Sequence, residues 1–411
     1  MPEFLELLPP LQALEKLLSN LPLVAPLKET VPVTSALGRV TFCAVQAPEP
    51  LPAFPRSTVD GFAVRAQDTF GASDALPAYL ELAGEVPMGS EPKFILQTFQ
   101  AALIHTGGML PSGADSVLML ENSQNIGGQE IEILKAVAVG ENTLRVGEDV
   151  TVGQEVISGG VRLRPSEIGG MLALGIMSVE VACPPRVGIL SSGDEIVMPE
   201  ITPLPGQVRD INSYALSALV QQHGGEPINY GIIPDKPGPL EKVLQKALKE
   251  CDAVVITAGS SASTRDLTAD AIHRMGIPGV LVHGVNVRPG KPTILGVCAG
   301  KPVIGLPGNP VSAQIIARLF VAPVIDRLSG LRKHLLRPFV QAALELNLPS
   351  QAGREDWIPA RLIEQGHDFI AEPIFYKSNL IFSLSQADGL IYIPPDATGI
   401  AAGEQVKVYL L

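Results

Sequence analysis

The 411-residue chain is 46% hydrophobic and 18% charged, with a formal net charge of -12. That composition supplies several apolar cores and excludes bulk disorder, and the acidic balance excludes a nucleic-acid surface while leaving room for a local basic pocket. Cys43, Cys183, Cys251 and Cys298 are far apart with no Cys-x-x-Cys pair, which excludes a zinc knuckle or disulfide framework and fits free thiols in a reducing compartment.

Glu3 and Glu6 stand where a secretory signal would be basic, and no apolar run approaches the ~18 residues that span a bilayer. A cytoplasmic protein with neither membrane nor nucleic-acid partner is expected. A helical pattern covers 11–18, and a proline-broken stretch runs to about 45. Residues 46–149 are rich in Gly and Pro, with β-like runs at 78–82 and 130–134, and read as a small β-rich domain. Residues 147–164 read as a hairpin region, and 165–175 as a helix weakened by Gly169 and Gly170.

From Arg186 the pattern changes. Short apolar strands at 187–190, 228–233 and 253–257 alternate with helical stretches at 214–222, 240–249 and 267–275. Such alternation predicts a parallel sheet covered by helices on both faces, with ligands bound beyond the strand carboxyl ends. Beyond Gly330 the period returns to two, at 339–346, 356–361 and 405–410, and predicts a small barrel-like β-domain over 331–411. The expected fold class is multidomain α/β plus β, without internal repeats.

The stretch richest in chemistry is Arg288-Pro-Gly-Lys-Pro292 followed by Gly305-Leu-Pro-Gly-Asn-Pro-Val-Ser312. Both turns flank apolar runs, and a helix is expected over 311–328 with Asn309 as N-cap and Pro310 as first helical residue. That geometry aims free backbone N–H groups at an anion, the glycines allow close approach, and Arg288 and Lys291 add positive charge. Ser191-Ser-Gly-Asp-Glu195 follows the first strand. Its hydroxyls suit phosphate contacts, while Asp194 and Glu195 suit a divalent metal or a helix cap. The loop Ala258-Gly-Ser-Ser-Ala-Ser263, followed by Thr264, Arg265 and Asp266, reads as a hydroxyl-rich nest or as a loop leading to an N-cap. Asp60, Asp149 and Asp210 lie in acidic turns. Each alone reads as structural, but together with an oxyanion pocket they fit Mg²⁺-assisted phosphoryl chemistry. The six histidines lack metal-ligand spacing. No nucleophile elbow, Walker A loop or dinucleotide fingerprint is present.

These segments, in this order, resemble the MoeA family of molybdopterin molybdenumtransferases, which includes the gephyrin E domain. The resemblance rests on Arg56-Ser-x-x-Asp60-Gly-Phe-Ala-Val64, on Thr106-Gly107 through Pro111-x-Gly-Ala-Asp115 and Glu121, and on Gly147-Glu-Asp149. It continues through Ser192-Gly-Asp-Glu195, Asp210-x-Asn212, Pro289-Gly-Lys-Pro292 and Leu306-Pro-Gly-Asn-Pro-Val-Ser312, and so covers essentially the whole chain. It implies four domains: an elongated one from 1–45 and 150–180, a β-rich insertion at 46–149, a molybdopterin-binding α/β domain at 181–330, and a C-terminal β-barrel at 331–411. It also implies an elongated homodimer with the site shared between subunits. The implied reaction inserts molybdate into adenylylated molybdopterin and releases AMP, with Mg²⁺ required.

Carried over by position, Asp60, Asp149, Glu195, Asp210, Asp266 and Lys291 are the catalytic candidates, and Glu195, Asp210 and Asp266 those for the metal. Ser192, Gly193, Gly259, Ser261, Arg288, Pro289, Gly290, Pro292, Pro307, Gly308, Asn309 and Ser312 would contact the pterin, phosphate or molybdate. Arg354 and Ser378, with Gly353 and Glu355 nearby, would be the C-terminal domain's contribution. Two departures stand out: Ser263 where the family has Gly, costing free access to positive φ, and Arg288 for the usual Lys. The alternatives are an adenylyltransferase or nucleotide pyrophosphatase on the same α/β module, and a non-catalytic carrier or scaffold.

Overall fold

The computed structural model describes residues 7–127, 129–258, 262–332, 337–375 and 377–411, with the side chains at 237, 258 and 262–266 outside the description. At its centre is a six-stranded sheet. Its spatial order is Glu226–Ile233, Arg186–Ser192, Ala253–Ala258, Lys301–Pro307, Ile294–Cys298, Pro278–His283. The first four strands are parallel, and the last two antiparallel to their neighbours. The three strands read from alternation run parallel as predicted, and the sheet becomes mixed only where the last two strands join it. The reason is local: Ile294–Cys298 and Lys301–Pro307 are joined by Ala299-Gly300 alone, with φ of 51° and 77°. A two-residue loop with both φ positive closes a hairpin, whereas a parallel crossover needs a dozen residues.

Successive strand residues face opposite sides of the sheet. Val187, Ile189 and Val255 join one core with Leu216, Leu219 and Phe320, while Leu190, Val254 and Ile256 join another with Leu240, Leu244 and Ile272. The helices Asn212–Gln222 and Pro310–Ile316 cover the first face, and Pro237–Glu250 and Ala262–Arg274 the second. Ser263 lies inside a regular helix, so the positive φ that a glycine there would supply is not used. The expected 311–328 helix is interrupted: Pro310–Ile316 and Ala322–Leu328 flank a π-helical stretch, Ala317–Val321. Pro323, which has no N–H to give, sits just beyond the interruption.

The first helix, Pro10–Ser19, sends Ala13 and Leu17 into the α/β core rather than packing with residues 28–45. Lys28–Pro32 pairs with Ser178–Ala182, and Val45–Gln46 with Glu155–Ile157, so the region expected as a hairpin pairs instead with a segment about a hundred residues earlier. The helix Pro165–Ala173 packs there through Met171. Residues 46–149 carry a second six-stranded sheet, Ser116–Met119, Gly61–Val64, Gln100–Ile104, Ala78–Glu85, Glu130–Ile133, Ser123–Asn125. Gly61 is required there: an added Cβ would fall 1.9 Å from the Leu118 carbonyl oxygen.

The C-terminal strands Phe339–Leu344, Glu355–Gln365, Asp368–Pro373, Gly389–Ile393 and Gln405–Leu410 close into a five-stranded barrel, because Glu355–Gln365 pairs with both Asp368–Pro373 and Gly389–Ile393. Closure removes the free edges. One strand ties the barrel to the α/β domain. Val287–Arg288 pairs in parallel with its rim, Val287 opposite Glu355 and Arg288 opposite Asp356.

Candidate functional site

The seam made by that pairing opens into a cleft of about 780 Å³. The 288–292 turn, Pro307, Asn309 and Ser312 enter from the α/β side, and Arg354, Lys377 and Ser378 from the barrel side. Its charged lining is four cations, Arg288, Lys291, Arg354 and Lys377, against one carboxylate, Asp356, in a chain of net charge -12. A concave wall of one sign in an acidic protein concentrates small anions.

Asp356 organises the cations. It is 1% exposed and opposes Arg288 in the strand register. Its Oδ1 accepts from Arg354 Nε at 2.9 Å, and its Oδ2 from Ser350 Oγ at 3.0 Å. Arg288 Nη1 lies 3.5 Å from Oδ2. One buried carboxylate thus engages two guanidiniums from two domains, both of which line the cleft, and Arg354 Nη1 donates further to Gln351 Oε1 at 3.3 Å. Lys291 is exposed and makes no ion pair among the described residues. The turn that presents it is tight: Thr293 Oγ1 donates to the Gly290 carbonyl at 2.6 Å, and Val285 N–H to the Lys291 carbonyl at 2.9 Å. Gly290 has φ 117°, and a Cβ there would lie 2.3 Å from the Ile316 side chain.

The start of the helix Pro310–Ile316 differs from expectation. Asn309 occupies the N-cap position, but its side chain makes no cap bond and Nδ2 donates to Ser378 Oγ at 2.9 Å. The Val311 N–H donates to the Ser378 carbonyl at 3.1 Å. The barrel loop therefore takes an amide expected to face an anion, and in exchange holds Ser378 against the helix start. Gly308 does not line the cleft; its carbonyl accepts from Asn212 Nδ2 at 2.8 Å.

A second constellation lies at the carboxyl edge of the central sheet, where the chain leaves Arg186–Ser192 and Ala253–Ala258 toward opposite sides. Ser192 Oγ donates to Asp235 in a short hydrogen bond. Asp210 is 4% exposed, accepts the Ser213 N–H at 3.1 Å and makes no ion pair among the described residues. The short parallel pair Ile196–Val197 with Val208–Arg209 sets Glu195 beside Val208 and Asp210 beside Val197. Close by in the fold, Ser191 Oγ, Thr257 Oγ1, Asn212 Oδ1 and Ser213 Oγ are buried without hydrogen-bond partners among the described residues. Buried polar atoms are normally paired, so this edge is built to meet a polar ligand. Gly259 and Ser261 lie outside the described residues, as does the Asp266 side chain. Among the described residues no group of three or more His, Cys, Asp or Glu is placed to hold a metal ion.

Three family models match in sequence along the chain: "MoeA N-terminal region (domain I and II)" over 8–175, "Probable molybdopterin binding domain" over 188–327, and "MoeA C-terminal region (domain IV)" over 341–411. A molybdopterin biosynthesis protein from Methanocaldococcus jannaschii is 36% identical over 93% of this chain and 92% of its own. The chain belongs to the MoeA family. A molybdopterin molybdenumtransferase from Nostoc is 33% identical over 93% of this chain and 88% of its own. The crystal structure of the MoeA molybdopterin biosynthesis protein from Pyrococcus horikoshii superposes with a TM-score of 0.85 at 34% identity, covering 99% of this chain and 100% of that one. This MoeA chain has no described helix long and apolar enough to cross a membrane.

Two acids carried over from the MoeA pattern stay outside the cleft of their own chain. Asp60 is exposed on the insertion, where the Thr106 N–H and hydroxyl, at 2.7 and 3.0 Å, hold its carboxyl below the usual range. Asp149 is exposed on the turn that bonds to Leu51. Conversely, Asp356 and Lys377 line the cleft and escaped the sequence reading. The signal for Asp356 was available: an acid two residues after Arg354, at the start of a strand with Trp357 and Ile358 behind it.

Proposed function

We propose that this MoeA-family protein is a molybdopterin molybdenumtransferase that inserts molybdate into adenylylated molybdopterin and releases AMP. The carrying observation is the gathering of Arg288, Lys291, Arg354 and Lys377 with Asn309, Ser312 and Ser378 around one cleft. The names of the Nostoc and Mycobacterium tuberculosis relatives support the same reading. Molybdate is a tetrahedral dianion, and guanidinium, ammonium and hydroxyl donors held before the ligand arrives suit it. The two arginines are preorganised by Asp356, while Lys291 and Lys377 make no ion pair among the described residues and can follow charge as it moves.

The pterin and its phosphoanhydride would lie along the sheet edge, where the unpartnered hydroxyls can donate to phosphate oxygens and Asn212 Oδ1 can accept from the pterin. Cleavage of the anhydride loads negative charge onto the departing AMP. Asp210 and Glu195, with Asp266, would be the residues to hold Mg²⁺, which would supply positive charge to the leaving phosphate; the ion takes one or two carboxylates plus waters, and Asp210 makes no ion pair that would compete for it among the described residues. In this reading the protein is a homodimer, with Asp60 and Asp149 of the exposed insertion serving the partner's site.

The test is AMP release from adenylylated molybdopterin with and without molybdate. Molybdate-dependent release that falls roughly 100-fold in Lys291→Ala, with an unchanged circular-dichroism spectrum, is expected. Release independent of molybdate, or a Lys291→Ala variant at wild-type rate, contradicts the proposal.

A further inference from the structure

A separate cavity of about 410 Å³ lies on the same seam between α/β domain and barrel. Its apolar wall includes Leu319, Leu390, Trp357 and Tyr409, the last two with ring centroids 5.3 Å apart. Its polar wall is Arg318, Arg337 and His223, whose burial holds its pKa down. The Arg318 guanidinium meets no acceptor among the described residues, and Arg337 makes only a 3.5 Å hydrogen bond to the Arg318 carbonyl. Asp326 also lines the cavity, but it is committed to Arg162 at 2.9 Å. Glu355, the other nearby acid, forms no ion pair within 4 Å of Arg337 but attracts it at longer range. Crowding by neighbouring atoms lowers the pKa of both arginines, although Arg337 keeps contact with solvent. Arg318 and Arg337 thus present two cations to one concave, largely apolar site, and neither is held in an ion pair among the described residues.

We infer that this cavity is a second binding site, for a small phosphate ester whose flat apolar body packs on the Trp357 and Tyr409 wall while its phosphate meets Arg318 and Arg337. The volume suits a small organic ligand. Guanidinium forks match a tetrahedral oxyanion in paired fashion, and the aromatic wall favours an unsaturated ring over a bare ion. The site is separate from the molybdate cleft but shares a wall with it. Trp357 lines both, and it follows Asp356, which holds Arg288 and Arg354. Occupancy here would therefore bear on the cations of the cleft.

Trp357 is the chain's only tryptophan, so its fluorescence reports directly on the wall. Phenyl phosphate serves as probe, titrated into the full-length protein with excitation on the long-wavelength edge of indole absorption. Saturable binding is expected in wild type and equally in Lys291→Ala, which alters only the other cleft. The dissociation constant should rise at least roughly tenfold in Arg318→Gln/Arg337→Gln, and inorganic phosphate should bind more weakly than the ester. The single variants Arg337→Gln and Arg318→Lys give the same comparison should the double variant fail to fold. Unchanged affinity in the arginine variants, loss of binding in Lys291→Ala alone, or no saturable signal in wild type would overturn the inference.

Discussion

Asp356 does for the cleft what no exposed residue could. A carboxylate 1% exposed and shared by two guanidiniums and a hydroxyl sets where positive charge points. Asp356→Asn keeps the shape and removes the charge. Because the Arg288 and Arg354 side chains keep 60% and 29% of their exposure, the loss should be smaller than for a fully buried pair. We expect roughly 1–2 kcal/mol in chemical denaturation. The larger effect should be on function: a rise of about tenfold in KM for molybdate with a smaller change in kcat, since substrate positioning is disturbed more than charge development. A fall in kcat with KM unmoved would contradict this role. Gly290 makes a purely steric prediction. Gly290→Ala should cost roughly 1–3 kcal/mol, read as a lower melting temperature, because the new Cβ lands on Ile316 at a φ that disfavours side chains. The residues of the two turns were legible in sequence because each turn follows an apolar run and carries Gly, Pro and a cation together. Asp356 carried a local signal, but its place opposite Arg288 follows only from the pairing of Val287–Arg288 with a strand some seventy residues later, and Lys377 carried none.

Among the elements, the short strand Val287–Arg288 matters beyond its length, because it belongs to the α/β domain in sequence and to the barrel in hydrogen bonding. The helix Pro165–Ala173 illustrates a stabilising device that can be titrated. Glu167 accepts from the Arg164 backbone N–H at 2.8 Å and from its guanidinium, and the Arg164 side chain chiefly holds its pKa down, to about 2 from 4.5. A lowered folded-state pKa means the contribution is complete above about 4.5 and disappears as pH falls toward 2. Glu167→Gln should therefore cost about 1 kcal/mol at neutral pH, and its melting-temperature deficit should close between these values. A deficit constant across that range would exclude the pairing as its source. Strand and helix positions in the α/β domain followed from alternation of apolar runs. What alternation could not convey was the reversal at the Ala299-Gly300 turn, which sets Ile294–Cys298 antiparallel to Lys301–Pro307, or the π-helical break before Pro323.

For the whole molecule, the change of period after Gly330 anticipated a separate β-domain, and the structure closes it as a five-stranded barrel. The pairing of residues 28–46 with 155–182 was legible only through family resemblance, because no local pattern specifies partners so distant. Asp60 and Asp149 stand outside the lining of the cleft. If they act on a partner's site, light scattering should give a dimer, and mixing Asp60→Ala chains with Lys291→Ala chains should restore part of the activity that each lacks alone. A monomer of full activity would refute that arrangement. The central claim is that the cleft between the 288–292 turn, the start of the helix Pro310–Ile316 and the barrel rim receives molybdate. Anomalous diffraction at a molybdenum edge from crystals soaked in molybdate tests it most directly. The predicted result is a molybdenum peak within hydrogen-bonding reach, through its oxygens, of Lys291, Arg288 or Arg354 and Ser378; ordered molybdenum elsewhere, with this cleft empty, would contradict it.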